Sequence, residues 1–461
     1  MSNQTVLINT KLGISKEKPR IWIEGHHLRK AGLNPGMTLG VKFDSGHANL
    51  AADIDAPDHV VKVSKRTYKG VEKPLLEIRH DKLAELFGDK AKIRIIARQG
   101  RLIIRLHHIT ERARARITRL KKRLSAGEKL QVGSLFHGGG TLDHAFHDGL
   151  ERSGIQSSVS VVNELESRFL GSSTENNHHL WDDDTIFLHS AIEDLDLSRA
   201  CSLDVVLAGI PCTGASLAGR ASKKLKFAEQ HETAGALFFS FLEFVKATNA
   251  AIVVLENVPL YQSTASYAVI CSVLQSLGYV VNDVILNGND FGALEGRDRL
   301  FMVATTEGLP EVDLSELLAV REKEATASEV LDPVPLDSDA WREFPYLDKA
   351  EQKAIVKGNG FKRNYIDPES STTNTIKKTN HKCQTDGVFV RHPTDPTKTR
   401  LPRGGEHARL KTVPESIIQG ASEKLACEIL GQGIVHAAGV SLAMGVANQC
   451  LAPYLNLDIA V

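Results

Sequence analysis

The sequence predicts an α/β protein built on an open, mostly parallel sheet, with a β-rich domain before it and a small irregular region after it. Apolar strand-like runs recur between residues 130 and 305, and helix-like stretches such as 232–247 and 264–277 separate several of them. This alternation is typical of a parallel sheet with helices on both faces. The rhythm is absent from residues 1–108, which hold short β-like runs, and from the loop-rich residues 306–400.

The composition restricts the class of protein. The 461 residues include 56 Lys/Arg and 56 Asp/Glu, so a nucleic-acid role would have to come from local basic patches. No run approaches the roughly 20 apolar residues that span a bilayer, and the N-terminus lacks a signal-like apolar core. The six cysteines have no metal-like CxxC spacing. We therefore expect reduced thiols, no metal site, no membrane association and a cytoplasmic, nucleoid-associated protein.

The β-rich domain, residues 1–108, contains two weak copies of a strand–helix–turn–strand unit, at 21–43 and 75–106. Such a unit cannot bury its own apolar face, so the two copies are expected to pair. The stretch RIWIEGHHLRKAGLNPGMTLGVKF looks like the swapped-hairpin units of AbrB-type transcription factors and SymE-like proteins. That resemblance implies a second nucleic-acid-binding surface, continued by the arginines of a basic helical linker at 109–129. A packing or oligomerisation module is the alternative.

Two strand ends indicate a nucleotide-like cofactor. SLFHGGGTLDHAF (134–146) reads as a strand, a glycine turn and a helix start, and its glycines allow a ligand to approach the backbone. Glu164 ends the next strand-like run, where an acid suits a pair of ribose hydroxyls. Each feature alone also fits a protein without such a cofactor, because glycine loops and solvated strand-end acids are common.

Three further strand ends carry reactive side chains. Cys212 follows the apolar run 203–209 in a Pro/Gly loop, where a thiol can be exposed and activated as a thiolate. Glu256 ends another apolar run and suits acid–base or substrate-binding work. Arg297 and Arg299 precede a strand, and their fork geometry suits carbonyl or phosphate oxygens. Taken singly, these are also compatible with a buried cysteine, a structural acid and two surface arginines.

The order of these segments resembles the motif series of the DNA cytosine-5 methyltransferase family, most clearly in PCTGAS, LENVP and GRDRLFMV. The resemblance covers about 130 to 305 and resumes at about 405 to 450. It implies a Rossmann-like, S-adenosylmethionine-dependent methyltransferase domain at 130–305 and a target-recognition region at 306–404. The segment 405–461 would then return to the catalytic domain.

The resemblance also implies a reaction on duplex DNA. Cys212 would attack C6 of a flipped-out cytosine, while Glu256 binds N3 and the exocyclic amine. Arg299 would contact O2 with support from Arg297, and a methyl group would pass from S-adenosylmethionine to C5. The residues implied for the cofactor are Phe136, Gly138, Gly140, Glu164, Ile192, Pro211, Gln432 and Ile434.

The implied DNA contacts lie mainly in the target-recognition region. Residues 361–411 hold eleven Lys/Arg against five Asp/Glu, an excess that favours phosphate contact. The residues expected to face DNA are Ser216, Lys362, Arg363, Lys377 and Lys378.

The chain departs from the family pattern at four places. Ser134 stands where an acid often opens the glycine motif, and Ala191 precedes Ile192 where an Asp is common. Glu295 replaces a Gln, and Gln432-Gly433 replaces a common Asn-Ser pair. None removes the nucleophile or its partner, so we expect an active enzyme. Methylation of tRNA cytosine and a DNA-binding regulator with a vestigial catalytic domain are the alternatives. A cognate restriction endonuclease, the oligomeric state and the target sequence stay open.

Overall fold

The structure, a computed structural model, describes residues 4–211, 236–358 and 363–455. Contacts within it divide the chain into two compact units, Met1–Ala115 and Arg116–Val461. Each unit has its own apolar core.

The strands of the first unit pair antiparallel throughout its described part. They are β1 Val6–Lys11, β2 Gly13–Ser15, β3 Lys18–Glu24, β4 Thr38–Asp44, β5 His47–Ala51, β6 His59–Lys62, β7 Ser64–Tyr68, β8 Val71–Arg79, β9 Lys92–Arg98 and β10 Arg101–Leu106. One sheet has the order β1-β9-β10-β5-β4-β6 and the other β2-β3-β8-β7. The helices are α1 His27–Lys30, α2 Lys82–Phe87 and α3 His108–Ala126, which extends into the second unit.

The first unit is an internal duplication, in which β3–α1–β4–β5 recurs as β8–α2–β9–β10. The copies pair with each other, since β3 runs antiparallel to β8 and β5 antiparallel to β10. The register is symmetric, with Ile21 opposite Ile78 and Ile23 opposite Leu76. The predicted pairing is confirmed, because each copy covers the apolar face of the other in one shared core.

The described part of the second unit contains one large sheet and two small ones. Its strands are β11 Leu130–Leu135, β12 Ser157–Glu164, β13 Trp181–His189, β14 Val205–Gly209, β15 Ile252–Asn257, β16 Tyr279–Asn287, β17 Glu295–Gly296, β18 Asp298–Thr306, β19 Asn364–Ile366, β20 Thr373–Asn374, β21 Val388–Arg391 and β22 Thr399–Arg400. Its described helices are α4 Thr141–Arg152, α5 Ser167–Asn176, α6 Leu237–Thr248, α7 Ala265–Ser276, α8 Pro345–Val356, α9 Gly404–Leu410, α10 Glu423–Gln432 and α11 His436–Val446.

The large sheet has the order β13-β12-β11-β14-β15-β18-β16. Among these strands β18 alone is antiparallel to its neighbours, so the predicted mostly parallel sheet is confirmed. Helices α4 and α11 cover one face, and α6 and α7 cover the other. The sequence did not reveal β13 and β16. Both are edge strands with many half-buried or exposed side chains, so neither is a continuous apolar run.

The region after β18 forms small sheets instead of extending the large one. β17 pairs with β20, and β19, β21 and β22 form a three-stranded sheet. A separate apolar cluster that includes Trp341, Ile366, Val388 and Val390 holds these pieces together. This irregular architecture matches the texture predicted for residues 306–400.

The C-terminal helices return to the large sheet. Side chains of α11, among them Val440 and Val446, share a core with Phe146 of α4. No single helix in the described ranges is long and apolar enough to cross a membrane. The two helical segments Glu423–Gln432 and His436–Tyr454, joined at a bend, together have the length and composition of a membrane span. Much of this pair is buried in the protein.

Three arginines of α3 make buried or partly buried polar contacts inside the second unit. Arg119 Nε and Arg123 Nε lie 3.1 and 2.9 Å from the carboxylate oxygens of the fully buried Asp204. Arg116 is buried and donates to the Leu277 carbonyl at 2.5 Å. The expectation that the linker arginines continue a nucleic-acid surface is therefore wrong for these three.

Replacing Asp204 with asparagine should destabilise the protein by about 3 kcal/mol, because two partly buried guanidinium groups would lose their counter-charge. The shift in urea unfolding of the full chain measures this. Asp386→Asn is the control, since it breaks an exposed pair with Lys377 and should cost less than about 1 kcal/mol. Equal shifts for both variants would contradict the role of Asp204.

Candidate active site

Four segments named from the sequence meet at one edge of the large sheet. β11, β12, β14 and β15 are parallel neighbours, so their carboxyl ends share the edge at which open α/β sheets bind ligands. The loop 136–140 follows β11, and Glu164 ends β12. Pro211 follows β14, and Glu256 is the penultimate residue of β15. The predicted site residues that lie outside the described part of the chain are Cys212, Ser216 and Lys362.

The loop after β11 is a tight turn with left-handed backbone. Phe136, Gly138 and Gly140 have φ angles of 54°, 59° and 80°. A Cβ on Gly140 would lie 2.7 Å from Ser173 Oγ and 2.8 Å from His137 Nε2, so both conformation and space require glycine. Gly140 is also the N-cap of α4, and backbone N–H groups at such a helix start are suited to ligand binding.

Glu164 lies against this loop. Its Oε2 accepts a hydrogen bond from the Gly138 N–H at 2.6 Å, and its Oε1 accepts one from the Glu166 N–H at 2.8 Å. An ionised carboxylate only accepts, so sugar hydroxyls could donate to it. The predicted ribose-binding acid and glycine loop are thus in direct contact.

Most of the remaining residues predicted to bind the cofactor lie near the glycine loop or at the surface, and one lies in the core. Phe136 and Ile192 belong to one apolar cluster near the loop, and Pro211 is exposed. Gln432 also approaches the loop, since a Cβ on Gly138 would lie 3.0 Å from its Nε2. The adjacent Ile434 is buried in the core instead.

A buried polar network supports the loop, and the sequence did not predict it. Ser134 Oγ donates to Asp143 Oδ2 at 2.9 Å, and His137 Nδ1 lies 3.0 Å from the same oxygen. His137 Nε2 lies 2.7 Å from Ser173 Oγ, which also accepts from Asn177 Nδ2 at 2.7 Å. Asp143 therefore supplies a carboxylate next to Ser134, the position at which the family pattern led us to expect an acid.

Replacing Asp143 with asparagine should weaken binding of S-adenosylmethionine about tenfold, because the loop would lose the carboxylate that fixes His137 and Ser134. That factor corresponds to about 1.4 kcal/mol. Calorimetric titration of the full chain measures the affinity, and the turnover number at saturating cofactor should stay within about twofold. Asp148→Asn, on the same helix but paired with exposed Arg152, is the control. Equal cofactor affinity in the Asp143 variant and wild type would refute this role.

Glu256 and Arg299 form a close ion pair between adjacent strands. Arg299 Nε lies 2.7 Å from Glu256 Oε1, and the two side chains are 13% and 12% exposed. Burial raises the pKa of Glu256, and the charge of Arg299 acts in the opposite direction. Arg299 can therefore hold the carboxyl group of Glu256 in a fixed orientation, while burial extends its protonated form to higher pH than in an ordinary glutamate.

The second oxygen of Glu256 faces the end of β14. A Cβ on Gly209 would lie 3.6 Å from Glu256 Oε2 and 3.6 Å from the carbonyl oxygen of Phe136. Gly209 precedes Cys212 by three residues. The glutamate, the glycine loop and the chain leading to the cysteine therefore converge at one point.

Arg297 occupies a different environment from Arg299. It is fully buried, and it donates to Glu295 Oε1 at 3.3 Å and to the Gly431 carbonyl at 2.8 Å. Burial lowers its pKa to about 10. Because its bonds join β17 to the end of α10, Arg297 holds these two segments together.

A buried lysine completes this region and was also missed. Lys411 Nζ donates to the carbonyl oxygens of Leu430 and Gly433, which lie at the end of α10. Burial, and next the charge of Arg297, lower the pKa of Lys411 well below its usual value. A lysine within the apolar stretch ARLKTV was the available signal.

The predicted DNA-contacting residues of the target-recognition region behave differently from one another. Arg363 is 10% exposed and forms ion pairs with Glu351, at 2.9 Å, and with Asp348. It is held within the protein, which corrects its assignment to a phosphate. Lys377 forms an exposed pair with Asp386 at 2.5 Å, and Lys378 lines a surface cleft.

The open sheet, the glycine loop and the strand-end acid define a Rossmann-like fold of the S-adenosylmethionine-dependent methyltransferase class. The sequence pattern of C-5 cytosine-specific DNA methylases matches residues 130–450. The chain therefore belongs to the C-5 cytosine-specific DNA methylase family, whose members use S-adenosylmethionine as methyl donor.

Several curated proteins are similar to part of the chain. It is 28% identical to the Type II methyltransferase M.NlaX of Neisseria lactamica over 252 residues, 53% of this chain and 75% of that protein. Identity to the Type II methyltransferase M1.ScrFI of Lactococcus lactis subsp. cremoris is 26% over 254 residues, 53% of this chain and 62% of that protein. Identity to the DNA-cytosine methyltransferase of Escherichia coli (strain K12) is 31%, over 38% of this chain and 41% of that protein. The chain thus spans less than two thirds of two of these relatives.

Solved structures agree on the fold. The crystal structure of the S. pombe Dnmt2 methyltransferase matches with a TM-score of 0.54 and 17% identity, covering 72% of this chain and 100% of that chain. The Entamoeba histolytica methyltransferase EhMeth matches with a TM-score of 0.54 and 15% identity, covering 70% and 98%. The Rossmann-like fold class predicted from the sequence is confirmed.

Proposed function

We propose that this protein transfers a methyl group from S-adenosylmethionine to C5 of a flipped-out cytosine in duplex DNA through a covalent Cys212 adduct. One observation carries the proposal: the Glu256–Arg299 pair lies at the open strand edge, and Glu256 Oε2 lies toward Gly209 at the end of β14, the strand that leads to Cys212. Membership of the C-5 cytosine-specific DNA methylase family indicates the reaction in which such a glutamate would take part, methylation of cytosine at C5.

In the proposed reaction, the Cys212 thiolate forms a bond to C6 of cytosine. Glu256 binds N3 and the exocyclic amine and supplies a proton at N3, so that the electron pair of the C5–C6 bond becomes available at C5. Arg299 contacts O2 and orients Glu256. The bound cofactor supplies an electrophilic methyl group, which C5 accepts. A base such as solvent water then takes the C5 proton, Cys212 departs as the thiolate, and the N3 proton returns to Glu256, which releases 5-methylcytosine.

The cofactor would occupy the edge formed by the glycine loop and Glu164. The close contact of Glu164 with the Gly138 N–H supports this, because the acid and the turn form one cradle. Phe136 and Ile192 would pack on the adenine. The remaining proposed contacts are Gly140, Pro211, Gln432 and, from within the core, Ile434.

Methyl transfer requires the target base to leave the helix, which costs a few kcal/mol. We assign target recognition to residues 306–404, where Lys377 and Lys378 would meet phosphates, with Lys362 nearby in sequence. Ser216 would face the DNA backbone. A basic region that meets phosphates holds the duplex while the pocket takes the base.

A methyl-transfer assay tests the proposal. Full-length protein with labelled S-adenosylmethionine should label duplex DNA and leave tRNA unlabelled, and bisulfite sequencing of the product should reveal one target sequence. Label in tRNA alone would overturn the choice of substrate. Absence of label from both would favour a DNA-binding regulator instead.

We further propose that the first unit is related to AbrB- and SymE-type proteins. Its duplicated strand–helix–strand–strand pattern supports kinship with AbrB- and SymE-type swapped-hairpin units, in which two copies of such a unit pair. Here one chain holds both copies, so the pairing needs no second chain.

A further inference from the structure

The zero net charge of the chain conceals two oppositely charged units. Residues 1–115 contain 22 Lys/Arg against 12 Asp/Glu, whereas residues 116–461 contain 34 against 44. The proposed catalytic chemistry lies in the acidic unit. The basic unit therefore carries the stronger general attraction for a polyanion.

Six basic side chains of the first unit lie on one sheet face. On β9 and β10, apolar residues such as Ile93, Ile95, Leu102 and Ile104 are buried, and the alternating residues point away from the core. β1 adds one lysine to the same face. The basic face consists of Lys11, Lys92, Arg94, Arg98, Arg101 and Arg105.

The register of this face opposes like charges. The directly facing pairs are Lys11 with Lys92, Arg94 with Arg105, and Arg98 with Arg101. Like charges directly opposite on neighbouring strands destabilise a sheet. Within the unit, Arg94 bonds Asn9 and His108 and Arg101 pairs with Asp53, but the facing like charges still repel, and a bound polyanion would relieve that repulsion.

The duplication provides an internal comparison. β9 and β10 correspond to β4 and β5, and every strand start is shifted by 54 residues. At the positions of Arg94, Arg98, Arg101 and Arg105, the first copy has Gly40, Asp44, His47 and Ala51. Both copies build the same strands, so the scaffold does not require the four arginines.

Part of the basic face is available for binding. The side chains of Arg98 and Arg105 are exposed and make no hydrogen bond or ion pair with any described residue. Arg101 pairs with Asp53 but is 66% exposed. An exposed pair of this kind is weak and can be exchanged for a phosphate contact.

We propose that the basic face binds the phosphate backbone of duplex DNA, using residues that are not part of the candidate active site. The inference rests on the proposed function for the choice of DNA as the polyanion. Arg94 and Arg98 are separated by about 13 Å along their strand, and the strands lie about 4.8 Å apart, so the guanidinium groups form a broad array. Arginine forks bind phosphate oxygens in pairs and without reading sequence, so the face would hold the enzyme on any duplex.

A charge-removal series on the full chain tests the proposal. The variant carries Arg94→Gln, Arg98→Gln, Arg101→Gln and Arg105→Gln, and its affinity for a duplex without target sites is measured by fluorescence anisotropy over a range of salt. We expect binding at least about tenfold weaker at about 0.15 M salt. The slope of log affinity against log salt should fall by three to four, about 0.9 for each lost phosphate contact.

A matched control separates this face from total charge. It carries Lys16→Gln, Lys30→Gln, Lys65→Gln and Lys90→Gln, which remove the same charge from exposed positions elsewhere in the unit. We expect its affinity to change by less than about twofold. Equal weakening of both variants, wild-type affinity in the arginine variant, or tighter binding of RNA than of DNA by the wild type would each overturn the proposal. Methyl transfer at saturating DNA should be unaffected in the arginine variant, so failure of the catalytic proposal would appear separately as an inactive wild type.

Discussion

Replacing Glu256 with glutamine should reduce methyl transfer to duplex DNA by at least about 100-fold. Glutamine preserves the shape of the side chain and can still accept a hydrogen bond from Arg299, which lies 2.7 Å from the carboxylate in the wild type. It has no acidic proton, so it cannot supply one at N3. Loss of a positioned acid–base group costs 10²- to 10⁴-fold. Single-turnover rates with saturating cofactor and DNA measure the effect.

The pH dependence gives an independent check on the same residue. Because burial raises the pKa of Glu256, its protonated form persists to higher pH than in an ordinary glutamate. The wild-type rate should therefore fall as pH rises through this raised pKa. The residual rate of the glutamine variant should lack that descending limb.

Glu295→Gln is the matched control. Glu295 is another buried acid of the same region, but it bonds Arg297 and the Ile376 N–H, not Arg299. Glutamine is also the residue that the family pattern places there, so we expect less than a tenfold loss. A Glu256 variant that keeps more than a tenth of the wild-type rate would remove Glu256 from the proposed chemistry.

The strands that the sequence revealed are those whose residues are buried on both faces. β14 and β15 are nearly continuous apolar runs, and the run 203–209 named from the sequence matches β14 to within two residues. β13 and β16 lie at the edges of the sheet, and β13 carries three consecutive acids, Asp182–Asp184. An edge strand needs fewer apolar residues, so its sequence resembles a loop.

In the candidate site, likewise, some residues are marked by a local sequence pattern and others are recognised only from their contacts in the folded protein. Glu164, Cys212 and Glu256 could be proposed from the sequence because each lies at the end of a recognisable apolar run. The network around Asp143 and the bonds of the buried Lys411 form only when the loop, α4 and the end of α10 pack together, so the sequence offers at most an unusual residue, such as the lysine within ARLKTV. Ser134, where an acid was expected, is explained by the fold, because the helix after the loop brings in the missing carboxylate.

Replacing Cys212 with serine should abolish turnover, by about 10⁴-fold or more, while binding of DNA and cofactor is retained. The thiolate is the attacking species, and a serine hydroxyl is not ionised near neutral pH. Without the bond to C6, the C5 carbon does not become nucleophilic enough to accept a methyl group. Steady-state methyl transfer and anisotropy titration with the same duplex separate turnover from binding.

Adduct formation discriminates a nucleophile from a merely structural cysteine. With a duplex that carries 5-fluorocytosine at the target, the wild type should form a stable covalent complex, because the fluorine at C5 cannot leave as the proton does. Cys212→Ser should form none, whereas Cys201→Ser, at an exposed cysteine before β14, should form it as the wild type does. An adduct in the Cys212 variant would place the nucleophile elsewhere. If the wild type binds DNA but forms no adduct, the protein would instead be a DNA-binding regulator whose catalytic domain keeps the family's motifs but does not carry out the reaction.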